Sequence, residues 1–156
     1  MRFLMGVALL VCLAFPAAAD MNADLNGLIN HVRMKMGREP LTPSSRLAKA
    51  ARVHAKDMYN NGPLGAIGSD GSNVLERVRR TGYRPCFAAQ LRAVDGSSRT
   101  AGVASRSLKE VFNDWVNNDI GAELLRDKRA TEFGVSEYNG VWGLVLARPH
   151  RATGGC

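Results

Sequence analysis

The chain has 156 residues, 46% hydrophobic and 22% charged, and its 21 Lys and Arg against 14 Asp and Glu give a formal net charge of +7. That length is one ordinary domain, able to bury a core without help from a metal. The basic residues, among them Arg77, Arg79 and Arg80, are dispersed with no aromatic-interleaved stripe, which argues against nucleic acid as a partner and leaves anionic surfaces such as cell-wall polymers, lipopolysaccharide or lipid headgroups.

Arg2 supplies a positive start, Leu4 to Phe15 is almost wholly apolar, and Ala17-Ala18-Ala19 offers small residues where a signal peptidase reads them. This order is that of an export signal, and the apolar run is too short to span a bilayer comfortably. Cleavage is expected after Ala19, which makes residues 1–19 a signal peptide, removes Arg2 and its charge, and places the protein in the periplasm or outside the cell. A lipoprotein built on Cys12 is disfavoured by the branched Val11 before it.

Two cysteines remain, Cys86 and Cys156. In an oxidising compartment an even count predicts an intramolecular disulfide, the alternatives being two free thiols or an intermolecular bridge. Such a bond pins the tail, residues 150–156, to the body. Neither cysteine has the spacing of a redox pair or a zinc ligand.

Leu25, Leu28, Ile29, Val32 and Met36 recur at helical spacing and predict a helix over residues 22–36, stopped by Gly37. Thr42 and Pro43 read as the N-cap and first position of a second helix, whose stripe is Leu47, Ala50, Ala51, His54, Ala55 and Met58. A short helix is expected after Asp70 as its N-cap, with Val74, Leu75 and Val78 inward and Gly82 closing it. Cys86 to Val94 reads as a strand with Phe87, Ala89, Leu91 and Ala93 on one face, followed by a polar loop over 95–101. Ser107 and Glu110 form a capping box, opening a helix that buries Leu108, Val111, Phe112, Trp115 and Val116. A helical turn follows near Glu123 to Arg126. Thr131 to Tyr138 and Val141 to Ala147, joined by Asn139-Gly140, read as a tight type I′ hairpin. Helices first, then a sheet with a helix between strands, predict an α+β layered domain over residues 20–149.

The order of Asn26, Arg33, Pro40-Leu41, His54-Ala55-Lys56-Asp57-Met58, Ser69-Asp70-Gly71, Gly82-Tyr83, Trp115, Thr131-Glu132-Phe133-Gly134-Val135 and Trp142 resembles the CAP superfamily (cysteine-rich secretory, antigen 5 and pathogenesis-related proteins), in its bacterial, SCP-like form. The resemblance implies a three-layer α-β-α sandwich with a central antiparallel sheet. It also implies a cleft where two histidines and two acids hold a metal in many members. At the matching positions this chain carries Ala66, Ala89, Gly121 and Asn118, none of them a histidine or an acid. A metal needs three or four converging donors, so no metal, no cofactor and no metal-assisted hydrolysis are expected, and the cleft should be roomier and less charged. Gln90, Asn113, Asn117 and Asp119 are candidates for its polar lining.

His54 lies on an apolar stripe and reads as structural. Ser69-Asp70-Gly71 lacks a partnering histidine. The resulting expectation is a monomeric, non-catalytic binding protein for a lipid, sterol-like or cell-wall ligand. The alternatives are an interaction module acting through its surface arginines, with a vestigial cleft, and a hydrolase using other residues.

Overall fold

The computed structural model describes residues 19–62, 64–94, 106–151 and 156. The expected signal segment up to residue 18, the loop at 95–101 and tail residues 153–155 lie outside the described residues. Among the described residues no helix is long and apolar enough to cross a membrane.

Helix α1 (Ala19–Lys35) turns Leu25 and Ile29 fully into the core. The next segment departs from the expected helix start. Thr42 N–H donates to Thr131 O (3.0 Å) and Ser44 N–H to Phe133 O (2.8 Å), which draws Thr42–Pro43 into a two-residue strand, β1. Proline, with no N–H of its own, is tolerated on such an edge. Helix α2 (Ser45–Asn61) therefore begins later, with Ser44 at the N-cap making no side-chain cap bond, and buries Leu47, Ala50, Ala51, His54, Ala55 and Met58 as its periodicity predicts.

Helix α3 (Val74–Arg80) is capped by Asn73 and Glu76 in a reciprocal box, not by Asp70. Asp70 instead accepts from Ser72 N–H (2.9 Å) and pairs with Arg80. Strand β2 (Pro85–Val94) follows. Helix α4 (Leu108–Asn117) opens on the Ser107/Glu110 capping box. Helix α5 (Asp119–Leu125) follows after the single residue Asn118, ahead of the turn expected near Glu123, because the Asn118 side chain holds its first amides. Strands β3 (Glu132–Tyr138) and β4 (Val141–Pro149) close the chain. Asn139 and Gly140 between them have φ of 47° and 82°, as the two-residue turn requires.

The sheet runs β1-β3-β4-β2. It is antiparallel except for β1, which pairs parallel with β3 and makes the sheet mixed. Strand alternation sends Phe133, Val135, Trp142, Leu144 and Leu146 into the layer of α1, α4 and α5. Val145 and Ala147 face α2 and α3. Both faces are covered, so β4 is buried continuously from Val141 to Ala147. Gly134 lies directly beneath the first turn of α2, where an added Cβ would come within 2.0 Å of Ala48 N.

Cys86 and Cys156 are bonded, with Cα atoms 5.3 Å apart and a sequence separation of 70. His150 N–H donates to Arg84 O (2.7 Å), and the Arg148 guanidinium donates to Cys156 O (2.8 Å).

Three outcomes are expected. Gly134→Ala should cost about 1–3 kcal/mol by forcing α2 off the sheet, read as a lowered urea midpoint. Reduction of the disulfide should cost up to about 4 kcal/mol in the chain-entropy limit for this loop, read as a fall in Tm with dithiothreitol. Burial holds the His54 imidazole below the ordinary histidine range, and the Arg77 charge acts in the same direction. The unfolded chain takes up a proton at His54 near pH ~6.5 while the folded chain stays neutral, so stability is lost as pH falls from there toward the lower folded value. His54→Gln should flatten that loss in Tm measured between about pH 7 and 5, with the exposed His31 and His150 common to both proteins.

Candidate functional site

β2 is an edge strand, and the cleft implied by the resemblance lies along it. Ala66 sits in the connection between α2 and α3, exposed. Ala89 shares the strand face of Phe87 and Leu91, while Ala88 and Gln90 face α2 and α3. Gly121 is buried in the first turn of α5, where a Cβ would stand 2.1 Å from Trp115 O. Asn118 Oδ1 accepts from Ile120 and Gly121 N–H at 3.1 and 3.2 Å.

These four positions offer a metal no donor set. Methyl groups and a glycine hydrogen cannot ligate, and the Asn118 oxygen is already spent on the helix. Position 121 accepts no side chain without moving the backbone of Trp115. Among the described residues no group of three His, Cys, Asp or Glu side chains comes together. The metal of the CAP cleft does not fit the residues this chain supplies.

A buried arginine ties the cleft wall instead. Arg77, 4% exposed, donates to Ala66 O (2.9 Å), Gln90 Oε1 (2.6 Å) and Ser72 O (2.5 Å). It is a staple between the α2–α3 connection, α3 and β2, not a surface contact, because its guanidinium is consumed by internal acceptors. Of the neighbouring arginines, Arg79 and Arg80 are exposed, and Arg80 pairs with Asp70.

The remaining cavity along β2 is about 390 Å³, bordered by Gln90, Arg92, Asp114, Trp115, Asn118 and Ile120. It is not free of charge: Arg92 and Asp114 rim it, and Ala66 and Ala89 are not among its described lining residues. Ser69 and His54 do not pair with one another. Ser69 gives its hydroxyl proton to Asp57, while His54 Nε2 faces Gly65 O at 3.2 Å.

The larger opening lies elsewhere, between α1 and α4. It measures about 620 Å³ and is walled by Leu28 and Val32 of α1 and Phe112 and Val116 of α4, with Lys109 and Asn113 at its rim. Its origin is the width of the two apolar stripes. α1 needs Leu25 and Ile29 for the core, and α4 needs Val111, Phe112 and Trp115. Leu28, Val32 and Val116 fall one position beyond, only partly buried against that core, and together they line a furrow. The sequence shows these residues only as core stripes; the available signal was a stripe wider than the core requires. Asn113 thus borders this groove and Asn118 the β2 cavity, whereas Asn117 and Asp119 are exposed and line neither.

The geometry agrees with known proteins. The family model described as CAP, the Cysteine-rich secretory protein family, matches residues 27–140. No curated protein matches the chain. Among solved structures, an extracellular protein containing an SCP domain from Bacillus anthracis superposes with a TM-score of 0.73 at 18% identity, over 84% of this chain and 41% of that one. An outer surface protein from Borrelia burgdorferi gives 0.66 at 16% identity, over 84% of this chain and 94% of that one. A cysteine-rich secretory protein from Staphylococcus aureus gives 0.65 at 16%, over 86% of this chain and 40% of that one. The chain thus spans about two fifths of the Bacillus and Staphylococcus proteins, and likeness at these identities concerns the fold. With the match over residues 27–140 and the layered sandwich in place, the chain belongs to the CAP family of cysteine-rich secretory proteins.

Proposed function

We propose that the protein is an exported, non-catalytic binding protein whose α1–α4 groove takes one acyl chain bearing an anionic head. The observation that carries this reading is the groove itself: about 620 Å³, walled by Leu28, Val32, Phe112 and Val116, with the Lys109 ammonium at the rim. The volume lies within the range of small-molecule sites, and apolar walls with few polar groups are their usual composition. Burial of a chain there gains about 0.8 kcal/mol per methylene before the cost of ordering it. Glu110 also lines the groove, and its carboxylate is engaged in the α4 cap, accepting from Ser107 N–H (2.7 Å) and from the Ser107 hydroxyl (2.7 Å).

Export is supported by the N-terminal order of charge, apolar run and small residues. The disulfide points to an oxidising compartment. The similar Bacillus and Borrelia proteins are described as extracellular and outer surface. The lack of ligating groups at Ala66, Ala89 and Gly121 supports a role without metal-assisted hydrolysis.

The test is displacement of a fluorescent fatty acid from the oxidised protein, paired with native mass spectrometry of material purified without detergent. The expected result is one fatty acid per chain. Val32→Phe and Val116→Phe, which fill the groove, should weaken binding by about tenfold or more. Lys109→Glu should weaken a fatty acid and spare the matching fatty alcohol. Equal binding by the filled variants, or none by the parent, overturns the reading.

A further inference from the structure

A separate cavity of about 600 Å³ lies at the other edge of the sheet, where α1 and α2 flank β3. β1 pairs with β3 only as far as Phe133. Beyond it the outer edge of β3 is closed by side chains. Asn22 accepts from Val135 N–H (3.0 Å) and donates to Val135 O (3.3 Å), and Arg52 donates to Glu137 O (3.1 Å). The cavity opens between these two plugs, lined among others by Ser44, Ser45, Ala48, Lys49, Arg52 and Ser136.

Three independent features of that lining call for the same occupant. Ser136 is 2% exposed, and its hydroxyl, on the α2 face of β3, has no hydrogen-bond partner among the described residues although it borders open space. Buried hydroxyls are ordinarily paired. Next, the 17-residue helix α2 begins here uncapped. Its first helical bond is Ala48 N–H to Ser44 O (3.0 Å), so the amides of Ser45, Arg46 and Leu47 have no helical acceptor, and the positive end of the dipole is unmatched. Finally, Lys49 and Arg52 bring two positive charges. Among the described residues no carboxylate lines the cavity, and neither cation belongs to a described ion pair.

We propose that this cavity binds the phosphate group of a phosphate monoester. A carboxylate presents two oxygens; the monoester dianion presents three, against three serine hydroxyls, an ammonium and a guanidinium. The apolar flank of Ala23, Pro43 and Ala48 leaves room for the esterified carbon. Arg52 is already oriented by Glu137 O and by the Tyr138 ring, 5.4 Å from its guanidinium carbon, so little freedom remains to be lost on binding. Lys49 and Arg52 are exposed, which keeps the site reachable and makes its affinity salt-dependent. The site is distinct from the α1–α4 groove and does not rest on it.

The experiment is an amide NMR titration of the oxidised protein with inorganic phosphate and with glycerol phosphate at fixed ionic strength. Saturable shifts are expected at residues 45–48 and at Ser136. Ser136→Ala and Lys49→Met should each raise the dissociation constant roughly threefold to tenfold, with urea midpoints confirming that both fold. Lys56→Met, on the same helix but outside the cavity lining, should bind as the parent does. Vesicles containing phosphatidic acid separate the sources of the ester: competition with glycerol phosphate assigns a lipid headgroup, and its absence alongside saturable binding assigns a soluble ester. Shifts reproduced by sodium chloride, or unchanged affinity in Ser136→Ala and Lys49→Met, overturn the proposal.

Discussion

The Arg33 guanidinium holds the architecture together. It is 1% exposed and pairs with no carboxylate among the described residues; backbone carbonyls solvate it instead. It donates to Glu39 O (2.8 Å), Leu125 O (2.7 Å), Asp127 O (3.1 Å) and Ala130 O (3.5 Å). Leu125 ends α5, where carbonyls lack helical partners and a cation is favoured. One side chain therefore joins the end of α1, the chain leading to β1, the end of α5 and the approach to β3. The cost of burying the charge shows in its proton affinity, which burial lowers. It stays charged at neutral pH, because arginine begins so far above that range.

Arg33 is one of several α1 side chains that bind backbone. Asn30 both donates to and accepts from Leu41 (2.9 and 2.8 Å), and Asn22 does the same at Val135. Each amide satisfies one N–H and one C=O, as a neighbouring strand would. α1 is thereby fixed in rotation by polar contacts, while Leu25 and Ile29 supply its burial. That fixed rotation leaves Leu28 and Val32 facing α4 across a furrow and places Asn22 beside the β3-edge cavity. Both proposed sites depend on the same helix being held by its polar residues.

The residues most legible in sequence were those whose partners are close in the chain. The Asn139-Gly140 turn, the Ser107/Glu110 box and the stripe of α2 are local, and each forms as its pattern implies. The Cys86–Cys156 bond was legible from cysteine count and compartment alone. Thr42–Pro43 misled because both a helix start and an edge strand accept Thr-Pro, and the deciding carbonyls, on Thr131 and Phe133, are about ninety residues away. Arg77 looked like surface charge for a similar reason: its acceptors include Gln90, on a strand it meets only in the fold. The α1–α4 groove was hidden because periodicity marks an apolar face without saying how much of it the core covers. That Gly121 is packed too tightly against Trp115 for any side chain required the backbone.

The cleft along β2 takes its character from a constraint common to both sides of the sheet. An edge strand presents unpaired amides and carbonyls, and a chain must avoid pairing through them with its copies. At β3 the short β1, Asn22 and Arg52 meet that need. At β2, Trp115 Nε1 donates to Arg92 O (3.2 Å), and Gln90 is tied to Arg77. A register shift falls at Cys86, between Pro85 and Phe87, where the disulfide brings in the end of the chain. A bulge beside a covalent staple is a poor template for a second strand. Side chains that could otherwise converge on a ligand in this cleft are thus engaged in closing a sheet edge. The two proposed sites lie where that work is complete, in the furrow beside α4 and in the gap between Asn22 and Arg52.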